Sequence, residues 1–467
     1  MKTPVSDFVK DYVERNSVRM HMPGHKGKDT CASGSPDAYD RAFSAITAYD
    51  ITEIETADDL FHPESIIAES EKNASEVFGC DTYYSTEGSS LCIRAMLYLA
   101  MTKRIGGTPW VLSTRNVHKS FVTACALLGI DCEWIRSDNE TSISSEVDEK
   151  DVAHGIIAGY NKYSSFPIAV YLTSPDYTGH ILPIRSIAEK CHNFGTILMV
   201  DNAHGAYLHF LENPIHPIDL GADMCCDSAH KTLPALTGGA YLHINKKSEF
   251  LPVSEKAAKQ AMALFASTSP SWLILQSLDR VNPYLFKEYR SDLQSTCEFL
   301  KDEKARLISG GISLIGEEPL KITIKTKTIG YEGSEFAALL RANTPSIEVE
   351  FSDPDMVILM VSPNNTKEEI KAAVDAILTI PKRTPIEEDP DLIAPTFPER
   401  VMSIREAAMK LPKIVKTEEA FGRIAHLSDT SCPPAVPVLI CGERIGHEEI
   451  RRLLYYGYET CQVVAEE

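Results

Sequence analysis

The sequence is short of positive charge. Its 46 lysines and arginines stand against 66 aspartates and glutamates, for a formal net charge of −20. Nucleic-acid binding needs a basic surface, so nucleic acid is excluded as the main partner. An acidic chain is compatible with a cationic small molecule, although overall charge speaks to solubility and steering more than to any site. There is no run of about 18 apolar residues, so no membrane span is expected. Residues 1–15 are polar and charged, without the apolar core of an export signal. The twelve cysteines are scattered, with no CxxC pair and no cysteine–histidine cluster at zinc-ligand spacing. No metal is therefore expected, and reduced thiols in a cytoplasmic protein are the simplest reading. Internal repeats and low-complexity tracts are also missing.

What is present is ordinary for a soluble globular protein: 43% hydrophobic and 24% charged residues. A chain of 467 residues suits two or three domains. Residues 1–60 read as an N-terminal arm. In it Phe8, Val9, Tyr12 and Val13 are spaced for a short amphipathic helix, and His21 to Gly27 form a loop broken by Pro and Gly. Residues 61–310 read as the large domain. Short strands at 83–85, 111–113, 132–135, 168–173, 197–200, 224–227 and 240–244 alternate with helical stretches up to residue 245. That alternation predicts βαβ units, a mainly parallel sheet and ligands beyond the strand C-termini. Residues 255–308 read as long helices interrupted at Ser267–Ser271, with Ser269 as cap and Pro270 in the first helical position. A smaller C-terminal α/β region follows over 311–467. Its expected strands are 320–325, 346–351, 356–361 and 436–441, with a helix over 367–378 and a Pro-rich connection at 381–398.

The chemistry centres on Lys231. It follows Ser228 and His230, just before an apolar run, while Asp201 closes an upstream apolar strand. A lysine and a strand-end carboxylate on adjacent units suggest a site for pyridoxal phosphate. The lysine would bond the aldehyde as an imine, and the aspartate would keep the pyridine nitrogen protonated. A buried lysine has a lowered pKa and hence a nucleophilic amine; a solvated surface lysine is the competing reading. Asp201 as a buried carboxylate needs a cation, either a pyridinium or a structural arginine. Gly88-Ser89-Ser90 stands at a strand-to-helix turn and could receive a phosphate, or could simply cap the helix. Ala203 is small enough to lie beneath a flat ring. His118 could lie on the ring, or be a loop histidine without a task. Ser228 and His230 could reach the phosphate.

These residues resemble the bacterial ornithine/lysine/arginine decarboxylase family, which are fold-type-I PLP-dependent enzymes, here in a short form without the N-terminal wing domain. The resemblance rests on His21-Met22-Pro23-Gly24-His25-Lys26-Gly27, Gly88-Ser89-Ser90, Asn116-Val117-His118-Lys119-Ser120 and Thr173-Ser174-Pro175-Asp176-Tyr177-Thr178-Gly179. It continues through Asp201-Asn202-Ala203-His204-Gly205, the specific block Ser228 to Thr237, and Ser267-Thr268-Ser269-Pro270-Ser271. It implies an aspartate aminotransferase-like large domain with a mainly parallel sheet and a smaller C-terminal α/β domain. Lys231 is then similar to the imine lysine, Asp201 to the pyridinium partner and His118 to the ring-stacking histidine. Ala203 matches the residue under the ring, and Ser89, Ser90, Ser228 and His230 match phosphate-side positions. Thr268 and Ser269 match a segment that reaches the neighbouring subunit's phosphate, which implies a homodimer or higher homo-oligomer with sites at the subunit interface. Glu443 and His204 fall on the substrate side, Glu443 near a substrate's distal cation. Lys231 or His230 would return a proton after CO2 leaves. The implied activity is decarboxylation of arginine, lysine or ornithine to the amine, a polyamine precursor. Another fold-type-I reaction, by an aminotransferase or a lyase, and a non-catalytic binding homologue are the alternatives. The chain departs from the family pattern at Glu87, where Asn is usual, and across Cys432 to Glu443.

Overall fold

Seven strands form the central sheet of the computed structural model, which describes all residues except 29–37, 103–106, 138–140, 142–143, 395, 428–435 and 467. They are β1 (Asp81–Ser85), β2 (Trp110–Ser113), β3 (Asp131–Trp134), β4 (Ala169–Thr173), β5 (Leu198–Asp201), β6 (Met224–Asp227) and β7 (Ala240–Ile244). The spatial order is β1-β7-β6-β5-β4-β2-β3. From β3 to β6 every pairing is parallel, while β7 runs antiparallel to both β6 and β1. Parallel strands need helical crossovers, which cover both faces. The side chains divide accordingly, with period two. Trp110, Leu112, Val170, Leu172, Leu198 and Val200 join the core on one face. Val111, Ala169, Tyr171, Met199 and Met224 join the core on the other. The sheet is therefore the mainly parallel one expected, with β7 as the reversed strand.

The helix Glu149–Tyr163 is not marked by hydrophobic periodicity. Its polar sequence carries Gly155 and Gly159, which weaken a helical pattern. Asp148 and Asp151 form a reciprocal capping box at its start. Gly159 lets the helix close onto the fully buried Trp110; a Cβ there would lie 2.1 Å from the indole ring.

The long helices are Glu255–Ala263, Trp272–Lys287 and Tyr289–Ser309. Their interruption falls where expected, but the cap is Ser271, whose hydroxyl accepts from the Ile274 N–H, and Ser269 and Pro270 precede the helix. The buried Trp272 anchors the first turn, which draws the start two residues on.

The C-terminal region holds two separate sheets. β8 (Leu314–Ile315), β9 (Lys321–Lys325), β10 (Phe351–Ser352) and β11 (Met356–Met360) are all antiparallel, in the order β10-β11-β9-β8. The strand expected over 346–351 pairs only at Phe351 and Ser352, preceded by one backbone bond from Glu350 to Ile358. Its apolar alternation is real, but it runs along the sheet edge with half its side chains exposed. The helix Lys367–Thr379 forms as expected, with a capping box between Thr366 and Glu369. β12 (Pro412–Lys416) and β13 (Thr460–Val464) make a second antiparallel pair beside the helix His447–Tyr455. The strand expected at 436–441 is irregular backbone: its apolar side chains are largely buried, yet its chain bends around Glu443.

Among the described residues, no helix is long and apolar enough to cross a membrane. Gly159→Ala is expected to lower stability by about 1–3 kcal/mol through overpacking against Trp110. Denaturant unfolding checks this, and an unchanged midpoint would contradict the packing.

Candidate active site

The ends of β4, β5 and β6 meet the turn after β1. Asp201 is the last residue of β5 and is 3% exposed. Its Oδ2 accepts from the Tyr171 hydroxyl at 3.1 Å, and its Oδ1 from the Ala203 N–H at 3.2 Å and the Cys226 thiol at 3.6 Å. Burial raises the Tyr171 pKa well above the usual phenol value, which keeps that hydroxyl a donor. Among the described residues no lysine, arginine or histidine forms an ion pair with Asp201. A buried carboxylate without a cation costs several kcal/mol, so this position calls for one.

Lys231 sits in the helical turn Ala229–Thr232 that follows β6. Its Nζ lies 2.9 Å from Nε2 of His204, on the loop after β5. His204 is buried and meets the Tyr177 ring edge-on, with centroids 5.0 Å apart. Burial, followed by the positive charges of Lys321 and Lys231, holds its pKa well below the ordinary histidine value. A neutral imidazole beside a lysine accepts at Nε2 and carries its proton on Nδ1. That Nδ1 is buried and has no hydrogen-bond partner among the described residues.

The turn after β1 leads into a helix start flanked by serine hydroxyls. Gly88 has φ +69°, the left-handed conformation that starts the helix Gly88–Met101. Glu87 gives that helix no side-chain cap; its carboxylate accepts from the Ser267 N–H at 2.7 Å instead. The N-terminal N–H groups are thus left without a side-chain cap, beside a cluster of hydroxyls. Ser228 donates to Ser89 at 2.9 Å, and Ser120 donates to Ser90 at 2.8 Å. His118 caps the next helix, Lys119–Leu128, its Nδ1 accepting from the Ser120 N–H at 3.2 Å. The residue as a whole is exposed in the single chain, while neighbouring groups crowd its imidazole. Desolvation lowers its pKa and Lys231 adds to that, against the opposing pull of Asp201. His230 Nδ1 lies 2.9 Å from the Gly239 carbonyl, so that nitrogen carries its proton.

The cluster joins Asp201, Ala203, His204, Lys231, Ser228, Ser89, Ser90 and His118 through the hydrogen bonds and charges above. It can receive a molecule that carries a cationic ring nitrogen, an aldehyde and an anionic group. Thr268 and Ser269 lie elsewhere, on an exposed loop tied to the Gly88 turn through Glu87 and Ser267. Sequence reasoning missed Tyr171, Ser120 and Arg115. Tyr171 follows from strand alternation, since it faces the opposite side from Val170 and Leu172. Ser120 lay inside a motif without a role, and Arg115 had no local signal.

Glu443 needs correcting. It is 2% exposed, and its two oxygens accept from Arg115 Nη1 at 2.6 Å and Nη2 at 2.7 Å. Oε2 also accepts from the Ile440 N–H at 2.7 Å. Arg115 in turn donates to the Val438 carbonyl at 3.1 Å and lies over the Trp134 ring. With both oxygens engaged, contact with a substrate's distal cation does not fit this geometry. The pair pins the C-terminal segment to the loop that carries His118. Residues 432–435 of the altered stretch lie outside the described residues.

Two outcomes follow. Glu443→Ala leaves Arg115 buried and unpaired and is expected to cost about 3–5 kcal/mol of stability; an unchanged unfolding midpoint would return Glu443 to the substrate side. His204 is held neutral in the folded state, so below the unfolded value of about 6.5 only the unfolded chain gains its proton. Stability therefore falls as pH drops below that value, and His204→Gln is expected to flatten the decline in denaturant titrations across it.

Comparison with known proteins places this geometry. The major-domain model of the Orn/Lys/Arg decarboxylases matches residues 3–306. The chain is 29% identical to the arginine decarboxylase of Bacillus subtilis, over 96% of this chain and 92% of that protein. The lysine decarboxylase of Francisella novicida superposes with a TM-score of 0.79 at 17% identity, over 99% of this chain and 81% of that one. A cysteine desulfurase from Thermococcus onnurineus superposes more distantly, with a TM-score of 0.53 at 15% identity, over 81% and 91%. The fold is thus the fold-type-I architecture, and the chain belongs to the Orn/Lys/Arg decarboxylase family of amino-acid decarboxylases.

Proposed function

We propose that this protein is a pyridoxal phosphate-dependent decarboxylase of a basic amino acid, with arginine as the preferred substrate. One observation carries the cofactor: Asp201, a buried carboxylate that forms no ion pair among the described residues, ends β5, and Lys231, whose Nζ lies 2.9 Å from His204 Nε2, follows β6. Full-length relatives named arginine decarboxylase favour arginine over lysine and ornithine. The product amine would feed polyamine synthesis in the cytoplasm.

When bound, pyridoxal phosphate supplies a protonated ring that accepts the electron pair left when CO2 departs. Asp201 holds the proton on the ring nitrogen, and Tyr171 and the Ala203 N–H hold Asp201. Ala203 and His118 would hold the ring between them and keep water from the substrate's carboxylate. The Gly88 helix start, Ser89 and Ser228 take the phosphate, with Ser90 and Ser120 orienting His118. Lys231 Nζ, 2.9 Å from His204 Nε2, would hold the cofactor's aldehyde and is the group placed to carry a proton to the substrate's Cα, with His230 on the phosphate side. Thr268 and Ser269 would reach the phosphate of a second copy, which makes the working unit at least a homodimer.

Purified protein should absorb in the visible as a lysine imine, lose that band on borohydride treatment, and release CO2 from arginine faster than from lysine or ornithine. Keto acid in place of CO2 would favour a transaminase, and absence of the band would favour a non-catalytic homologue. Lys231→Ala is expected to abolish turnover; appreciable residual CO2 release would remove Lys231 from the mechanism. Asp201→Ala is expected to keep bound cofactor yet lose at least about a hundredfold in kcat, the scale of one preorganised charge contact; normal kcat would refute its role.

A further inference from the structure

Behind the cradle lies a buried cluster that the mechanism above does not use. Asp227 ends β6, is fully buried, and accepts from three side chains. Asn202 Nδ2 donates to its Oδ1 at 2.6 Å, while His216 Nε2 and His243 Nε2 lie 3.1 and 3.0 Å from its Oδ2. The other ring nitrogens are engaged as well. His216 Nδ1 accepts from the Ile218 N–H, and His243 Nδ1 is 3.0 Å from the Thr82 hydroxyl. Each imidazole presents an Nε2–H to Asp227, because a carboxylate can only accept. Burial opposes the charge, but the two imidazoles hold the carboxyl well below its usual range.

Asn202 stands between Asp201 and Ala203. Its N–H donates to the Cys226 carbonyl at 3.0 Å, and a Cβ at Gly205 would lie 2.0 Å from its Oδ1. The amide is thus held from one side by Asp227 and closed in from the other by a residue that can carry no side chain. Asp227 is also the residue before Ser228, which meets Ser89.

We propose that Asp227 is a positioning residue for the cofactor: through Asn202 it fixes the Asp201–Ala203 turn under the ring, and through its own backbone it sets Ser228 against Ser89. This rests on the pyridoxal phosphate reading. His216 and His243 are the struts, joining the hub to the chain before β6 and to β7, with Thr82 of β1 behind. His216, Asp227 and His243 also have their ligand atoms within 4.8 Å of one another, a spacing a metal ion could use. The hydrogen bonds above already satisfy each of these side chains without an ion.

The test compares the purified wild type with Asp227→Asn, Asn202→Ala and, as a control, Glu71→Gln, which breaks the remote buried pair of Glu71 with Lys259. Apoprotein is titrated with pyridoxal phosphate and followed by imine absorbance, beside unfolding midpoints and metal content. Asp227→Asn and Asn202→Ala are expected to weaken cofactor binding about tenfold or more, the usual scale for removing a supporting contact. The double variant should lose no more than the worse single one, since both cut one link. Glu71→Gln should lose stability and keep cofactor affinity. Wild-type affinity and spectrum in Asp227→Asn, additive losses in the double variant, or one equivalent of bound metal in the wild type would each overturn the proposal. If Asp227→Asn does not fold, Asn202→Ala decides alone, because it removes only the link to the turn. A wild type that forms no imine band would instead refute the underlying cofactor reading.

Discussion

A carboxylate at the buried end of β5, without a cation of its own, is the constraint that most of the large domain answers to. Asp201 is deep enough that water cannot neutralise it cheaply. It is kept in place by a phenol held protonated, a backbone N–H and a thiol. None of these removes its charge. What they do is hold it oriented, as the partner that the proposed cofactor's ring nitrogen would need. The parallel sheet makes this possible, since the ends of β4, β5 and β6 fall at one edge in register.

Around that charge the protein separates its tasks. On the proposed reading, charge recognition would sit at the end of β5, covalent chemistry at Lys231 after β6, and anion binding at the helix that follows β1. His204 links the first two, since it follows Asp201 in sequence and touches Lys231 in space. Its forced neutrality matters, because a second cation beside Lys231 would oppose the charged form of the amine. The serines link the last two through short hydroxyl contacts. Each element brings one function, and the loops only have to be the right length.

The C-terminal units are tied to this edge by buried polar contacts. Lys321 of β9 donates to the Asp176 carbonyl, and Thr323 donates to the Thr178 carbonyl. Gly316 and Gly179 pack so closely that a Cβ at Gly316 would lie 2.5 Å from the Thr178 carbonyl oxygen. From the other side Glu443 grips Arg115, three residues before His118. Both C-terminal units are therefore braced against loops of the large sheet. The family resemblance placed Glu443 on the substrate side; the tertiary contact makes it a brace.

The sequence by itself determined the strands, their alternation with helices, and the residues whose chemistry is local: Lys231 beside His230, Asp201 at a strand end, Gly88 at a left-handed turn. These are properties of periodicity and short motifs, and they do not depend on which distant segment comes near. It did not determine the helix Glu149–Tyr163, whose glycines hide its period until Trp110 is seen to need the space. It also misjudged residues 346–350, an apolar alternation, and 436–441, an apolar run, for which the described residues offer no strand to pair with. Above all it left the partners of polar groups open. Arg115 and Glu443 are 328 residues apart in the chain, and Asn202 and Asp227 are 25 apart. Only packing decided which charges met, because a buried polar group is satisfied by whatever the fold brings to it.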